Sequence, residues 1–169
     1  EPMSGRYDMI LKEVRLLERS AATDIAIRGG RIAAIGRLPG DAKRILDAGG
    51  LRIVPGFIDL HIQGAGGADV LDGTPEALQT MSQSLARLGT TGFLATSVAF
   101  AEGDNRHLAL AAESVGRYLG GAKLLGIHLE GPYINPEKKG GLNPRCMFAP
   151  EVRSLDAILA ACGGALKMM

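Results

Sequence analysis

The rhythm of hydrophobic and polar positions changes near Pro55-Gly56. Before that point the apolar residues fall in short β-type runs at 8–17, 24–28, 31–35 and 44–47. No long helical period appears among them. The runs Ile25-Ala26-Ile27-Arg28 and Arg31-Ile32-Ala33-Ala34-Ile35 are separated by Gly29-Gly30. A two-residue primed turn needs positive φ at both positions, so this pair predicts a hairpin. Residues 1–54 therefore read as part of a small β-sandwich.

From residue 55 to residue 169 strand and helix patterns alternate. Strands are predicted over 56–63, 92–98 and 124–130, and helices over 75–88, 104–119 and 150–161. The first helix opens with Thr74-Pro75-Glu76, which supplies an N-cap, a Pro at the first helical position and an acid in the first turn. Its apolar residues Leu78, Met81, Leu85 and Leu88 follow the helical period. Strands alternating with helices predict parallel βαβ units.

Length narrows the fold further. A (β/α)8 TIM barrel takes about 250 residues, or about 31 per unit. Residues 55–169 hold roughly the first three to four β/α units, with 165–169 opening a fourth strand. A parallel sheet that stops there has an open edge and an uncovered apolar face. The expectation is thus a partial TIM barrel, from a fragment or a split protein. A small three-layer α/β domain is the alternative.

Two strands carry polar residues on one face. In Phe57-Ile58-Asp59-Leu60-His61-Ile62-Gln63, alternation sends Ile58, Leu60 and Ile62 to a face suited to packing under helices. Asp59, His61 and Gln63 share the other face, where an unpaired polar row is costly unless it is bonded or holds a metal. In Leu124-Leu125-Gly126-Ile127-His128-Leu129-Glu130, the residues Leu125, Ile127 and Leu129 oppose Gly126, His128 and Glu130. Glu130 stands at the carboxyl end, where Gly131-Pro132 turns the chain away. Barrel active sites lie at the carboxyl ends of strands, and a carboxylate there suits a divalent cation that activates water.

Composition removes several other roles. The formal net charge is +1, which supports neither a nucleic-acid nor a membrane-surface function. Aromatic residues make up 4% of the chain and Trp is absent, so stacking platforms for single strands are not expected. Cys146 and Cys162 form no CxxC pair, and no window approaches a membrane span. The expectation is a reduced, cytoplasmic protein. The segment Gly64-Ala65-Gly66-Gly67-Ala68-Asp69 fails as a dinucleotide loop, because Asp69 replaces the third Gly and would oppose a pyrophosphate.

The segment Val54-Pro55-Gly56-Phe57-Ile58-Asp59-Leu60-His61-Ile62-Gln63 resembles the PGxxDxHxH signature that opens the barrel of the amidohydrolase superfamily. HLEGP at 128–132, followed by Tyr133-Ile134-Asn135-Pro136 and Lys138-Lys139-Gly140, resembles the N-acetylglucosamine-6-phosphate deacetylase family within it. The Gly64–Gly67 segment is similar to the GxGG loop of those deacetylases.

The resemblance implies hydrolysis of the acetamide of N-acetylglucosamine 6-phosphate, with the carboxylate of Glu130 as a ligand of one divalent metal ion (Zn, Fe, Mn or Co). His61 stands where the first metal-ligating His of the signature falls and is the second candidate ligand. Gln63 stands where the second His is expected, which puts a second metal in question. The backbone of Gly141 and Leu142 is implied in sugar binding, although Leu142 replaces a commonly found His. Lys138 and Lys139 are a candidate phosphate attractor or a solvated pair, and His128 reads as structural. The family's other metal ligands and its general acid/base Asp come from later strands, beyond Met169, so no catalytic residue is expected in this chain. His107, on a helix, is a poor substitute. The 169 residues alone are expected to be inactive. The small-molecule partner implied is an amino-sugar phosphate, and the complete protein is implied to be a homodimer. A cyclic-amide hydrolase and a non-catalytic binding module are the competing readings.

Overall fold

The computed structural model describes residues 7–18, 21–101 and 103–169. The chain divides into two compact units, Glu1–Pro55 and Gly56–Met169.

The first unit holds β1 (Tyr7–Leu16), β2 (Thr23–Arg28), β3 (Arg31–Gly36), β4 (Ala42–Asp47) and β5 (Arg52–Ile53). They make one sheet in the order β3-β2-β1-β4, and β5 also pairs with β1. The predicted hairpin joins β2 to β3 through Gly29 and Gly30, whose φ angles of 57° and 72° only Gly adopts cheaply. Ile10, Ala26 and Ala42 form its small core, with Tyr7, Ala34 and Leu38 packed against them. Among the described residues the strands of this unit form a single sheet.

Asp24 is the buried charge among the described residues of this unit, at 6% exposure. Burial opposes its ionisation. A salt bridge from Lys12 Nζ at 2.8 Å and the N–H groups of Leu38 (3.0 Å) and Glu13 (3.2 Å) outweigh it and hold the carboxyl below its usual range. A lowered native value means that the stabilisation is present above the unfolded value, near about 3.9. It is lost as pH falls through the native one. Asp24→Asn is expected to cost about 1.5–3 kcal/mol near neutral pH. That deficit should shrink as pH falls through the native value, compared by urea titrations at neutral and at acid pH; an equal deficit at both would contradict it.

The second unit begins with β6 (Phe57–Ile62) and a two-strand hairpin, β7 (Gly64–Ala65) and β8 (Ala68–Asp69). Then come α1 (Pro75–Arg87), β9 (Thr90–Ser97), α2 (Arg106–Ser114), β10 (Lys123–Leu129), α3 (Val152–Ala161) and β11 (Leu166–Met168). β6, β9, β10 and β11 form an all-parallel sheet in the order β11-β10-β9-β6. Thr74 caps α1 by accepting the Ala77 N–H at 3.2 Å. Leu78, Met81 and Leu85 of α1 share one buried core with Phe93 of β9 and with Leu124, Ile127 and Leu129 of β10. Leu108 of α2 and Ile158 of α3 join the same core.

Four details differ from the sequence reading. Leu88 is 76% exposed, because α1 ends at Arg87 and Leu88 falls outside its buried stripe. The second helix stops at Ser114 rather than 119: Val115 is extended and Gly116 has φ 79°. Leu124, not Leu125, enters the core of β10, because an irregularity between Leu124 and Gly126 shifts the alternation by one. Ile58 and Leu60 are 60% and 52% exposed rather than covered by helices. β6 is an edge strand, and only Ile62 of its apolar face reaches the core.

Candidate active site

The carboxyl ends of β6, β9 and β10 bring polar groups together. Glu130 directly follows β10, and its N–H donates to the Ser97 carbonyl at the end of β9 at 2.8 Å. That bond continues the parallel ladder by one step and fixes where the side chain leaves the sheet. Gln63 directly follows β6, and its Nε2 donates to Oε2 of Glu130 at 2.5 Å. His61 Nε2 lies 3.8 Å from the same oxygen. His128 meets His61 edge to face, with ring centroids 4.8 Å apart and planes at 85°. His61 and Gln63, from the polar face of the first strand, thus converge on the carboxylate of Glu130, from the polar face of the third.

A pocket of about 340 Å³ opens beside this carboxylate, and Glu130, Gln63, Thr96, Ser97, Gly141 and Leu142 are among its lining residues. Leu142 contributes its side chain to the wall, 7% exposed and clustered with Val98 and Cys146. Lys139 Nζ donates to the carbonyls of Gly140 (3.3 Å) and Leu142 (3.2 Å). Its ammonium therefore shapes the 140–142 turn, and Lys138 is the more exposed of the two cations. Asp59 accepts the His61 N–H at 3.0 Å, so its carboxylate is turned to the backbone of its own strand.

The glycine-rich segment after β6 has a structural explanation. Gly66 and Gly67, with φ of 67° and 85°, close the β7–β8 hairpin. A Cβ on Gly64 would lie 2.6 Å from the Ala68 carbonyl oxygen, so the two strands require Gly there. Asp69, which spoiled the dinucleotide pattern, caps a short 3-10 turn by accepting the Leu71 N–H at 2.8 Å. It also lines the pocket.

Thr96, Ser97, Asn143 and Cys146 line the pocket too, and the sequence did not single them out. The available signal was Thr96-Ser97 at the end of a predicted apolar strand, two hydroxyls where the run turns polar. Cys146 is no thiolate nucleophile here. Burial pushes its thiol up, and the nearby charge of Arg145 only partly opposes that. His107 is buried, with Nε2 2.9 Å from the Val98 carbonyl, and lies outside this group.

Glu130 offers an anionic oxygen and His61 an imidazole, both donor types that a divalent cation accepts. Among the described residues no group of three His, Cys, Asp or Glu could hold an ion. Catalytic zinc sites take about three protein ligands, more than these two residues supply.

A parallel sheet with polar groups at the carboxyl ends of its strands is the arrangement the amidohydrolase resemblance implies. Within that class the similarity is to sugar 6-phosphate deacetylases. The chain is 42% identical over 104 residues to N-acetylglucosamine-6-phosphate deacetylase of Vibrio furnissii, covering 59% of this chain and 26% of that one. It is 32% identical over 165 residues to N-acetylgalactosamine-6-phosphate deacetylase of Escherichia coli O157:H7, covering 95% of this chain and 43% of that one. The crystal structure of N-acetylglucosamine-6-phosphate deacetylase from Pasteurella multocida superposes with a TM-score of 0.77 at 25% identity, over 94% of this chain and 43% of that one. No protein-family model matches. The chain thus spans less than half the length of these relatives. Its resemblance is to the N-acetylglucosamine-6-phosphate deacetylases of the amidohydrolase superfamily, and it runs along nearly all of its own length.

The buried wall gives a stability test. Leu142→Ala is expected to cost about 2–4 kcal/mol in chemical denaturation, and Leu142→Met less than about 1.5 kcal/mol. Equal losses for the two variants would show that Leu142 does not pack as described.

Proposed function

We propose that this chain carries the opening β/α units of a (β/α)8-barrel deacetylase that hydrolyses the acetamide of N-acetylglucosamine 6-phosphate, giving glucosamine 6-phosphate and acetate. The observation that carries the reading is Glu130: a half-buried carboxylate at the mouth of a parallel sheet, beside a pocket, with His61 and Gln63 turned toward it. A relative at 42% identity bears the name of that activity.

Each residue has a task in this scheme. Glu130 and His61 are the donors this chain offers to one divalent ion. When bound, that ion supplies a Lewis acid for the acetamide carbonyl. Gln63 donates to one oxygen of Glu130, which holds the carboxylate in a single rotamer. The backbone of Gly141 and Leu142, in the turn fixed by Lys139, forms the sugar side of the pocket. Leu142, Val98 and Cys146 keep that side dry, which strengthens every polar contact made there. The remaining donors and a general acid/base come, in this proposal, from barrel strands of a protein as long as the relatives. Such a protein is a cytoplasmic homodimer whose barrel covers the apolar face of β6. Among the described residues no helix is long and apolar enough to cross a membrane.

The test is acetate release by the protein in its full length, assayed on 6-phosphorylated N-acetylglucosamine and N-acetylgalactosamine and on cyclic amides. Release from the glucosamine substrate is expected, and Glu130→Gln should lower kcat/KM roughly 10³-fold or more, equivalent to several kcal/mol at about 1.4 kcal/mol per tenfold. The 169-residue chain by itself should release none. Turnover of cyclic amides alone, or a Glu130→Gln variant with undiminished activity, would overturn the reading.

A further inference from the structure

β6 does not run in simple register with β9. Asp59 is opposite Phe93 and Ile62 is opposite Ala95, so three steps on β6 answer two on β9. The local extra residue at Leu60-His61 offsets an opposite slip at the start of the strand, where one step from Phe57 to Ile58 answers two from Thr90 to Gly92. This is a β-bulge in a parallel pair, a rare kind. A bulge strips backbone groups of their ladder partners, and buried or half-buried groups of that kind must be satisfied elsewhere.

Here three side chains satisfy them. The Leu60 carbonyl accepts from His128 Nδ1 at 2.7 Å. The Ile62 N–H donates to Thr96 Oγ1 at 2.9 Å. The His61 N–H donates to Asp59 Oδ1 at 3.0 Å. Thr96 and His128 are paired residues of the β9–β10 ladder, so both reach the bulge at the same level of the sheet. Thr96 is fully buried and His128 half-buried.

We propose that His128 and Thr96 are positioning residues: together they hold the Leu60-His61 bulge in the one shape that aims the His61 imidazole at Glu130. The functional weight of the device rests on the reading above, in which His61 and Glu130 serve one site. A carbonyl oxygen can only accept, so Nδ1 of His128 carries a proton and donates it to Leu60. The bonded nitrogen fixes both tautomer and ring orientation, and the His61 ring stands edge to face against the ring so fixed. Without the bulge His61 would keep the spacing of a regular strand. With it, His61 Nε2 comes within 3.8 Å of Glu130 Oε2 while Gln63 still reaches the same oxygen. Bulges next to active sites commonly re-aim a side chain in this way.

The test compares isosteric replacements in the full-length protein. Asn places an amide N–H near the position of Nδ1, whereas Gln places one near Nε2. Zn²⁺ affinity is measured by calorimetry without substrate. His128→Asn should stay within about threefold of wild type. His128→Gln should lose roughly 10–100-fold, the range found when outer partners of metal-ligating groups are removed. Thr96→Val should fall like His128→Gln, and Thr96→Ser should stay near wild type. The imidazole ¹⁵N spectrum of the wild type should show an Nδ1–H tautomer at the signal that His128→Asn removes. A His128→Gln variant binding Zn²⁺ as tightly as His128→Asn, or an Nε2–H tautomer at His128, would overturn the proposal. Neither readout uses substrate, so a failed deacetylase assay and a failed positioning role remain distinguishable.

Discussion

A carboxylate drawn out of water has to be given partners, and in this chain the carboxyl end of the neighbouring parallel strand β6 supplies them to Glu130. The Glu130 side chain retains 30% exposure, with Gln63 bonded to one oxygen and His61 facing it. Desolvation without such neighbours would cost several kcal/mol or neutralise the group. The parallel sheet makes the meeting possible, because all its strands end on the same side and present their last polar residues to one mouth. α1 and α3 and the core they bury hold the sheet in place from the other face.

Around that centre, small residues and turns set distances rather than chemistry. The hairpin after β6 brings Asp69 to the pocket through two left-handed glycines and one glycine at close approach. On the far side, Lys139 ties down the 140–142 turn so that Leu142 is buried in the wall. The pocket is therefore bounded by two segments that look, in sequence, like flexible Gly-rich loops. Both are pinned by hydrogen bonds to side chains.

Much of this was legible in the sequence, for a definite reason. Alternation along Asp59-Leu60-His61-Ile62-Gln63 and along Ile127-His128-Leu129-Glu130 sorts polar from apolar residues, and all of the polar set but Asp59 is found together. The hairpin at Gly29-Gly30 and the cap at Thr74 were legible because each turns on local chemistry. What escaped depends on neighbours distant in sequence. The burial of Ile58 and Leu60 depends on a strand or helix beside β6, and periodicity predicts a face without saying what covers it. The phase slip at Leu125 and the bulge at His61 arise from pairing with β9. No single-strand pattern reveals register. Thr96 escaped because a Thr in an apolar strand reads as an ordinary β-branched residue until its hydroxyl is seen to replace a ladder acceptor.

The central claim is that Glu130 faces a cation at the mouth of this sheet. A crystal structure of the full-length protein grown with Zn²⁺, with anomalous data at the zinc edge, tests it most directly. An anomalous peak about 2.0–2.2 Å from a Glu130 carboxylate oxygen is predicted. A Glu130 side chain turned to bulk solvent, with no peak beside it, would contradict the claim.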